Sequence, residues 1–211
     1  MVPAQLAPPN SAFTGRARAA RALDGLVAPG SPAPVAIVSG IAGVGKTALA
    51  LDWAHRNVSR FPDGQLFADL RGYDRLAGPV APHDLLGRFL RALGVNSEQI
   101  PADPDERAAL YRSVLHPLRV LILLDNAASA AQVRPLLPGA RGCRVVVTAR
   151  PRLEDLLIEY GAAAVPPSRP WTTGKPWTCS PACSAPHGSN GNVRTPSGSP
   201  GCATASPWLC G

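Results

Sequence analysis

Aromatic residues are scarce: four Trp, three Tyr and four Phe make up 5% of the 211 residues. No basic run with interleaved aromatics occurs, so the footprint of a nucleic-acid surface is missing, and direct DNA binding by this chain is not expected despite a net charge of +7. Also missing is any apolar run near the roughly 18 residues that a membrane span needs. The start, "MVPAQLAPPNSAFTGR", has no charged-then-apolar leader pattern, and we expect a cytoplasmic chain that does not engage a membrane. Acidic residues stop at Glu159, beyond which Arg169, Lys175 and Arg194 stand without a single acid. Paired short cysteine spacings are absent too. "CSPAC" (Cys179, Cys183) followed by the distant Cys202 and Cys210 fits a zinc site poorly, and stable disulfides do not suit the cytosol.

What is present up to about Gly161 is an alternation of buried-strand and helix patterns. "VAIVSG", "QLFADL", "RVLILLD" and "CRVVVTAR" read as strands. "RARAARALDGLVA", "KTALALDWAHRNVSRF", "PHDLLGRFLRALG", "DPDERAALYRSVLHPL", "SAAQVRPLLP" and "PRLEDLLIEYG" read as helices. Near-continuous aliphatic strands between helices imply a parallel sheet covered on both faces, a three-layer α/β fold.

Three stretches carry chemistry. Gly40-Ile41-Ala42-Gly43-Val44-Gly45-Lys46-Thr47 matches the phosphate-loop pattern, with a strand before it and a helix after it. Its glycines let backbone N–H groups converge on phosphate oxygens, Lys46 bridges the β- and γ-phosphates, and the Thr47 hydroxyl binds Mg²⁺. Residues 1–165 hold eighteen Arg or Lys residues, and Lys46 is the only lysine among them. Arginine serves elsewhere, whereas the phosphate loop retains the compact ammonium; the competing reading is a chance Gly-rich turn. Asp125 ends the strand "RVLILLD", where an acid can hold Mg²⁺ through water or merely cap the next helix. Asn126 stands where many such ATPases place a second carboxylate; an amide orients water but cannot take its proton, which counts against rapid turnover. Thr148 and Arg150 end "VVVTAR", where they either sense a γ-phosphate or lie at an ordinary strand end.

Taken together these parts resemble the NB-ARC branch of the STAND signalling ATPases, and most of all the ATPase module of actinobacterial SARP-type antibiotic regulators. The likeness runs from residue 2 to about 160 through "VPAQLAPPNSAFTGR", "GIAGVGKTALAL", "FPDGQLFADLRGYD", "IPADPDERAALYRS", "LLDNA", "AAQVRPLLPG" and "VVVTAR". It implies a P-loop NTPase sheet ordered 5-1-4-3-2 and an ADP/ATP switch that is at most a slow ATPase. It also implies Mg²⁺ at Thr47 and Asp125, a sensor at Arg150, and an adenine side formed by Phe13, Thr14, Gly15 and Arg16. By the same resemblance residues 1–12 are linker and 13–161 the core. The DNA-binding effector and the winged-helix lid are expected to be absent, which reads as truncation. Two alternatives stay open: a catalytically active Mg²⁺-dependent ATPase, and a non-functional remnant. The fifth strand is in doubt, because only "AAAVPP" follows "LIEYG". Should it fail to pair, the strand feeding the phosphate loop becomes an open edge through which the core would self-associate.

From Pro166 to Gly211 the text holds nine Pro, six Gly, seven Ser and five Thr, with Val193 and Leu209 as its only aliphatics. Residues 162–211 therefore read as a disordered tail, unable to offset the roughly 1–2 kcal/mol per residue of ordering. The tail also reads as gene text in a shifted frame. Trp is always TGG and Thr always ACN, so moving back one base turns Trp171-Thr172 and Trp177-Thr178 each into Leu, Val or Met followed by Asp. "CATASPWLC" then admits a reading with the Gly-Leu-Pro-Leu-Ala segment that follows the core in the resembled family. The shift lies between Gly161 and Trp171. Sequencing the coding DNA checks this: the preceding frame should stay open through the Trp208 codon, and an earlier stop codon would end the idea.

Overall fold

The protein is described from a computed structural model, which describes residues 2–9, 17–28, 30–31, 33–74 and 76–165. The frameshifted-tail reading from residue 166 onward, and the adenine-side residues Phe13, Thr14, Gly15 and Arg16, lie outside the described residues.

In chain order the elements are α1 (Ala17–Asp24), β1 (Val35–Ser39), α2 (Lys46–Arg56), β2 (Gln65–Asp69), α3 (Pro82–Ala92) and α4 (Pro104–Leu115). There follow β3 (Leu121–Ala127), α5 (Ala130–Val133), β4 (Arg144–Ala149), α6 (Glu154–Tyr160) and β5 (Ala163–Val165). Local chemistry sets several of the starts. Pro82 and Pro104 occupy first-turn positions where a missing N–H costs nothing, and the Asp103 carboxylate accepts from the N–H groups of Asp105 and Glu106.

The five strands pair in the order β2-β3-β4-β1-β5, all parallel, which is the expected topology. Because the strand repeat is two, each of β1 to β4 feeds two cores. Ile37, Ile122, Val145 and Val147 point to the side covered by α3, α4 and α6. Ala36, Val38, Leu121, Leu123 and Val146 point to the side covered by α1 and α2, where Leu23, Leu49 and Trp53 are fully buried. Two apolar faces explain why the strands read as unbroken aliphatic runs rather than as alternations.

The doubt over the fifth strand is corrected. Ala163, Ala164 and Val165 pair with Ala36, Ile37 and Val38 of β1, so the strand feeding the phosphate loop is interior and not an edge. Three residues suffice because Val165 is buried, 2% exposed, in the same core as Leu23 and Val38. Residues 163–165, which the sequence places in the tail, thus complete the sheet, and association driven by an open β1 edge loses its basis.

The opposite edge is β2, and the N-terminal segment lies along it. Ala4 forms a parallel bridge with Gln65, whose N–H donates to the Pro3 carbonyl (2.7 Å) and whose carbonyl accepts from Gln5 N–H (3.0 Å). Gly64 makes room for this segment: at φ 121° its hypothetical Cβ would stand 2.6 Å from the Pro3 oxygen. Residues read from the sequence as linker are seated on the sheet.

If β5 is integral, placing a carboxylate in its core position should destabilise the whole domain, because burying an unpaired charge costs several kcal/mol. Val165→Asp should lower the urea midpoint by an amount equivalent to about 3 kcal/mol or more. An unchanged midpoint would mean that β5 contributes nothing to the fold.

Candidate functional site

The carboxyl ends of the parallel strands, where open α/β sheets gather their sites, bring the three motif stretches together. β1 delivers the loop that starts at Gly40, whose N–H donates to the Ala149 carbonyl at the end of β4 (3.2 Å). Gly40, Gly43 and Gly45 have φ of 151°, 72° and 84°, a region that side-chain-bearing residues rarely adopt. Gly45 in the left-handed conformation precedes α2, and its carbonyl accepts the helical bond from Leu49 N–H (3.0 Å). The positive end of α2 therefore faces the loop. Val44 is buried and anchors the loop, while Ile41, Ala42 and Gly43 are exposed.

Lys46 opens α2 and folds back over the loop, its Nζ donating to the carbonyls of Gly40 and Ile41, both at 2.9 Å. Burial holds this ammonium below its ordinary pKa; Asp125 raises it in opposition, and Arg150 lowers it further. A partly desolvated cation beside a second cation is a place where an anion gains more than it would in water.

Thr47, the next residue, donates its hydroxyl to Asp125 Oδ1 at 2.8 Å across 78 residues of sequence. The Thr148 hydroxyl donates to the same oxygen. Thr148 also accepts from Asn126 N–H (3.0 Å) and is only 1% exposed. Its hydroxyl is thus committed to the acid and the following amide, a setting the sequence did not suggest. Asp125 is 9% exposed, and among the described residues no hydrogen bond reaches its Oδ2.

Asn126 sits at φ 60°, where an Asn is tolerated better than most residues. It belongs to a bulge: β3 advances from Leu124 to Ala127 while β4 advances only from Val147 to Ala149. The extra residue reverses the strand's parity. Leu121 and Leu123 face α2, and Asp125 follows them to that side, yet Ala127 faces the opposite core. The carbonyls of Asp125 and Asn126 accept from Leu70 N–H (2.8 Å) and Gly72 N–H (2.9 Å), pinning the loop that leaves β2.

Arg150, exposed just past β4, makes one described contact: its guanidinium lies over the Tyr73 ring, 3.9 Å from the ring centre. The sequence reading gave Tyr73 no role. The available signal was a Tyr, one of three in the chain, directly after a Gly in the loop following a strand. Two of the described histidines are engaged elsewhere: His55 Nε2 lies 2.8 Å from the Ala7 carbonyl and His83 pairs with Asp84 at 3.3 Å.

No protein-family model matches this chain. It is 53% identical over 161 residues to the regulatory protein AfsR of Streptomyces coelicolor, a match covering 73% of this chain and 16% of that protein. To the regulatory protein AfsR of Streptomyces griseus it is 52% identical over 156 residues, again 73% of this chain and 16% of the relative. The chain therefore spans about a sixth of the length of these curated relatives. Among solved structures, Cdc6p from Pyrobaculum aerophilum superposes with a TM-score of 0.51 at 16% identity, over 74% of this chain and 48% of that one, a likeness of fold alone. No helix among the described residues is long and apolar enough to cross a membrane. The chain has a P-loop ATPase fold and is similar to one segment of AfsR-type regulators.

Proposed function

We propose that the chain is the nucleotide-binding switch module of a STAND-type, NB-ARC-like transcriptional regulator of antibiotic production, working in the cytoplasm. It would take ADP or ATP with Mg²⁺ and hydrolyse ATP slowly at most. The observation that carries this reading is the Thr47–Asp125 hydrogen bond, which ties the phosphate-loop hydroxyl to the strand-end acid.

The residues fit the ligand. Glycines at positive φ line the loop, the α2 N-terminus backs it, and the Lys46 ammonium is held at its mouth by two carbonyls that a phosphate oxygen can supplement. Thr47 and Asp125 offer hard oxygen donors already in contact, and the acid has a second oxygen to which no described group bonds, as suits an Mg²⁺ that keeps several of its waters. The chemistry a bound Mg²⁺ supplies is neutralisation of β/γ-phosphate charge. Arg150 is the candidate γ-phosphate contact, and by resemblance Phe13, Thr14, Gly15 and Arg16 take the adenine.

Slow turnover follows from position 126. A carboxylate there would accept a proton from an attacking water, whereas the Asn126 amide can only orient it. The regulator context rests on the similarity to AfsR proteins over one segment of their length.

Calorimetric titration with ADP and ATP beside a steady-state ATPase assay tests the reading. We expect binding with negligible turnover; rapid turnover would favour a true ATPase, and no binding a non-functional remnant. Lys46→Ala should weaken ADP binding by about 2–4 kcal/mol, the scale of losing a charge-assisted hydrogen-bonding group. Equal affinity in mutant and wild type would remove Lys46 from the site.

The acid and its neighbour separate metal binding from hydrolysis. Asp125→Asn leaves an amide oxygen able to accept both threonine hydroxyls, so the fold should survive while Mg²⁺-dependent binding is lost. Asn126→Asp places a carboxylate at a backbone conformation that Asp also tolerates, and turnover should rise. Unchanged Mg²⁺ dependence in the first variant would exclude Asp125 as a ligand.

A further inference from the structure

The loop between β2 and α3 is built more firmly than a connector needs. Leu70 N–H donates to the Asp125 carbonyl (2.8 Å), Gly72 N–H to the Asn126 carbonyl (2.9 Å), and Val80 N–H to the Leu70 carbonyl (3.0 Å). The buried Gln132 side chain donates to the Leu70 carbonyl (2.8 Å) and the Val80 carbonyl (3.2 Å). Position 72 has no room for a side chain, since a Cβ there would lie 2.5 Å from both the Asn126 oxygen and the Ala128 nitrogen. The half-buried Tyr73 is therefore fixed relative to Asp125 by bonds on the preceding residues, and the Arg150 guanidinium carbon lies over its ring, 3.9 Å from the centre.

A guanidinium uses its flat face for stacking and its rim for hydrogen bonding, so one does not consume the other. The rim of Arg150 donates no hydrogen bond to any described residue. An exposed arginine free of such a contact must give up rotamer freedom when it meets a ligand; one already stacked has given up part of it.

We propose that Tyr73 is a positioning residue for Arg150, holding the guanidinium over its ring beside the phosphate loop so that its N–H donors are ready for a terminal phosphate. This deepens the reading of the chain as a nucleotide switch and rests on it. Tyr73 belongs to the loop pinned to both Asp125 and Asn126, so the sensor arginine and the metal-side acid share one rigid frame. Discrimination between ATP and ADP then depends on an aromatic ring that touches neither nucleotide.

The test compares wild type, Tyr73→Phe and Tyr73→Leu in the full chain, each titrated with Mg-ATP and Mg-ADP. The preference for ATP over ADP should fall about two- to fivefold in Tyr73→Leu and persist in Tyr73→Phe, which keeps the ring. In an Arg150→Ala background Tyr73→Leu should change nothing further. Equal weakening of both nucleotides in Tyr73→Leu, or full additivity with Arg150→Ala, overturns the inference. A nucleotide-free measurement stands beside these: the Arg150 side-chain proton resonances should show a ring-current shift in wild type and Tyr73→Phe that disappears in Tyr73→Leu. If wild type binds neither nucleotide, the switch reading fails, and the resonances decide the positioning alone; a shift that survives Tyr73→Leu refutes it.

Discussion

One buried carboxylate oxygen organises the nucleotide end of this fold. Asp125 Oδ1 accepts a hydroxyl from Thr47 at the start of α2 and another from Thr148 near the end of β4. A hydrogen bond to a charged group is worth about 1.5–3 kcal/mol net, whereas a buried charge left without partners costs several. The acid therefore holds its place through those two hydroxyls, and they hold α2 and β4 in register with β3. Together with the bond from Gly40 N–H to the Ala149 carbonyl, the acid ties the two elements that carry Lys46 and Arg150 together at this end of the sheet. The arrangement also leaves Thr47 turned towards the acid.

The bulge at Asp125 and Asn126 is the second half of the same constraint. With an unbroken repeat of two, Ala127 would face α2 and a residue behind it would enter the site. The inserted residue returns Ala127 to the opposite core and leaves both carbonyls of the bulge bonded to the Leu70–Gly72 loop. Bulges beside functional sites re-aim side chains in this way. Here the re-aimed residue is Asn126, held at a φ of 60°.

Much of this was legible in the sequence. The apolar runs of β1 to β4, the helices between them and the Gly40–Thr47 loop follow from periodicity and turn chemistry, and the sheet order follows from resemblance. The fifth strand was misjudged because pattern reading weighs length. "AAV" is too short to register as a strand, yet an interior partner and one buried Val are enough to seat it. The role of Thr148 was hidden for another reason: its partners, Asp125 and the Asn126 amide, lie more than twenty residues away, and only the bulge brings that amide to its oxygen. Tyr73 escaped for the same cause, since its contact with Arg150 joins residues in different loops at the same end of the sheet.

The segment before the core, a linker by resemblance, also serves the sheet edge. "VPAQLAPP" is Pro-rich and has no helical or strand period. A sheet edge asks for neither period. It needs an extended backbone with a free carbonyl and a free N–H, and Pro3 and Gln5 supply one each to Gln65. Pro3 offers no N–H, but its carbonyl is what Gln65 uses, so proline is tolerated here as it is on edge strands generally. Leu6 and Ala7 then pack against the α2-side core, and the Ala7 carbonyl meets His55 in the last turn of α2. The helix that begins at the phosphate loop thus ends against this segment, and β2, whose other side pairs with the acid-bearing strand, is shielded by it. An edge otherwise open to foreign strands is closed from within the chain, and the phosphate-loop helix is braced at the end remote from Lys46.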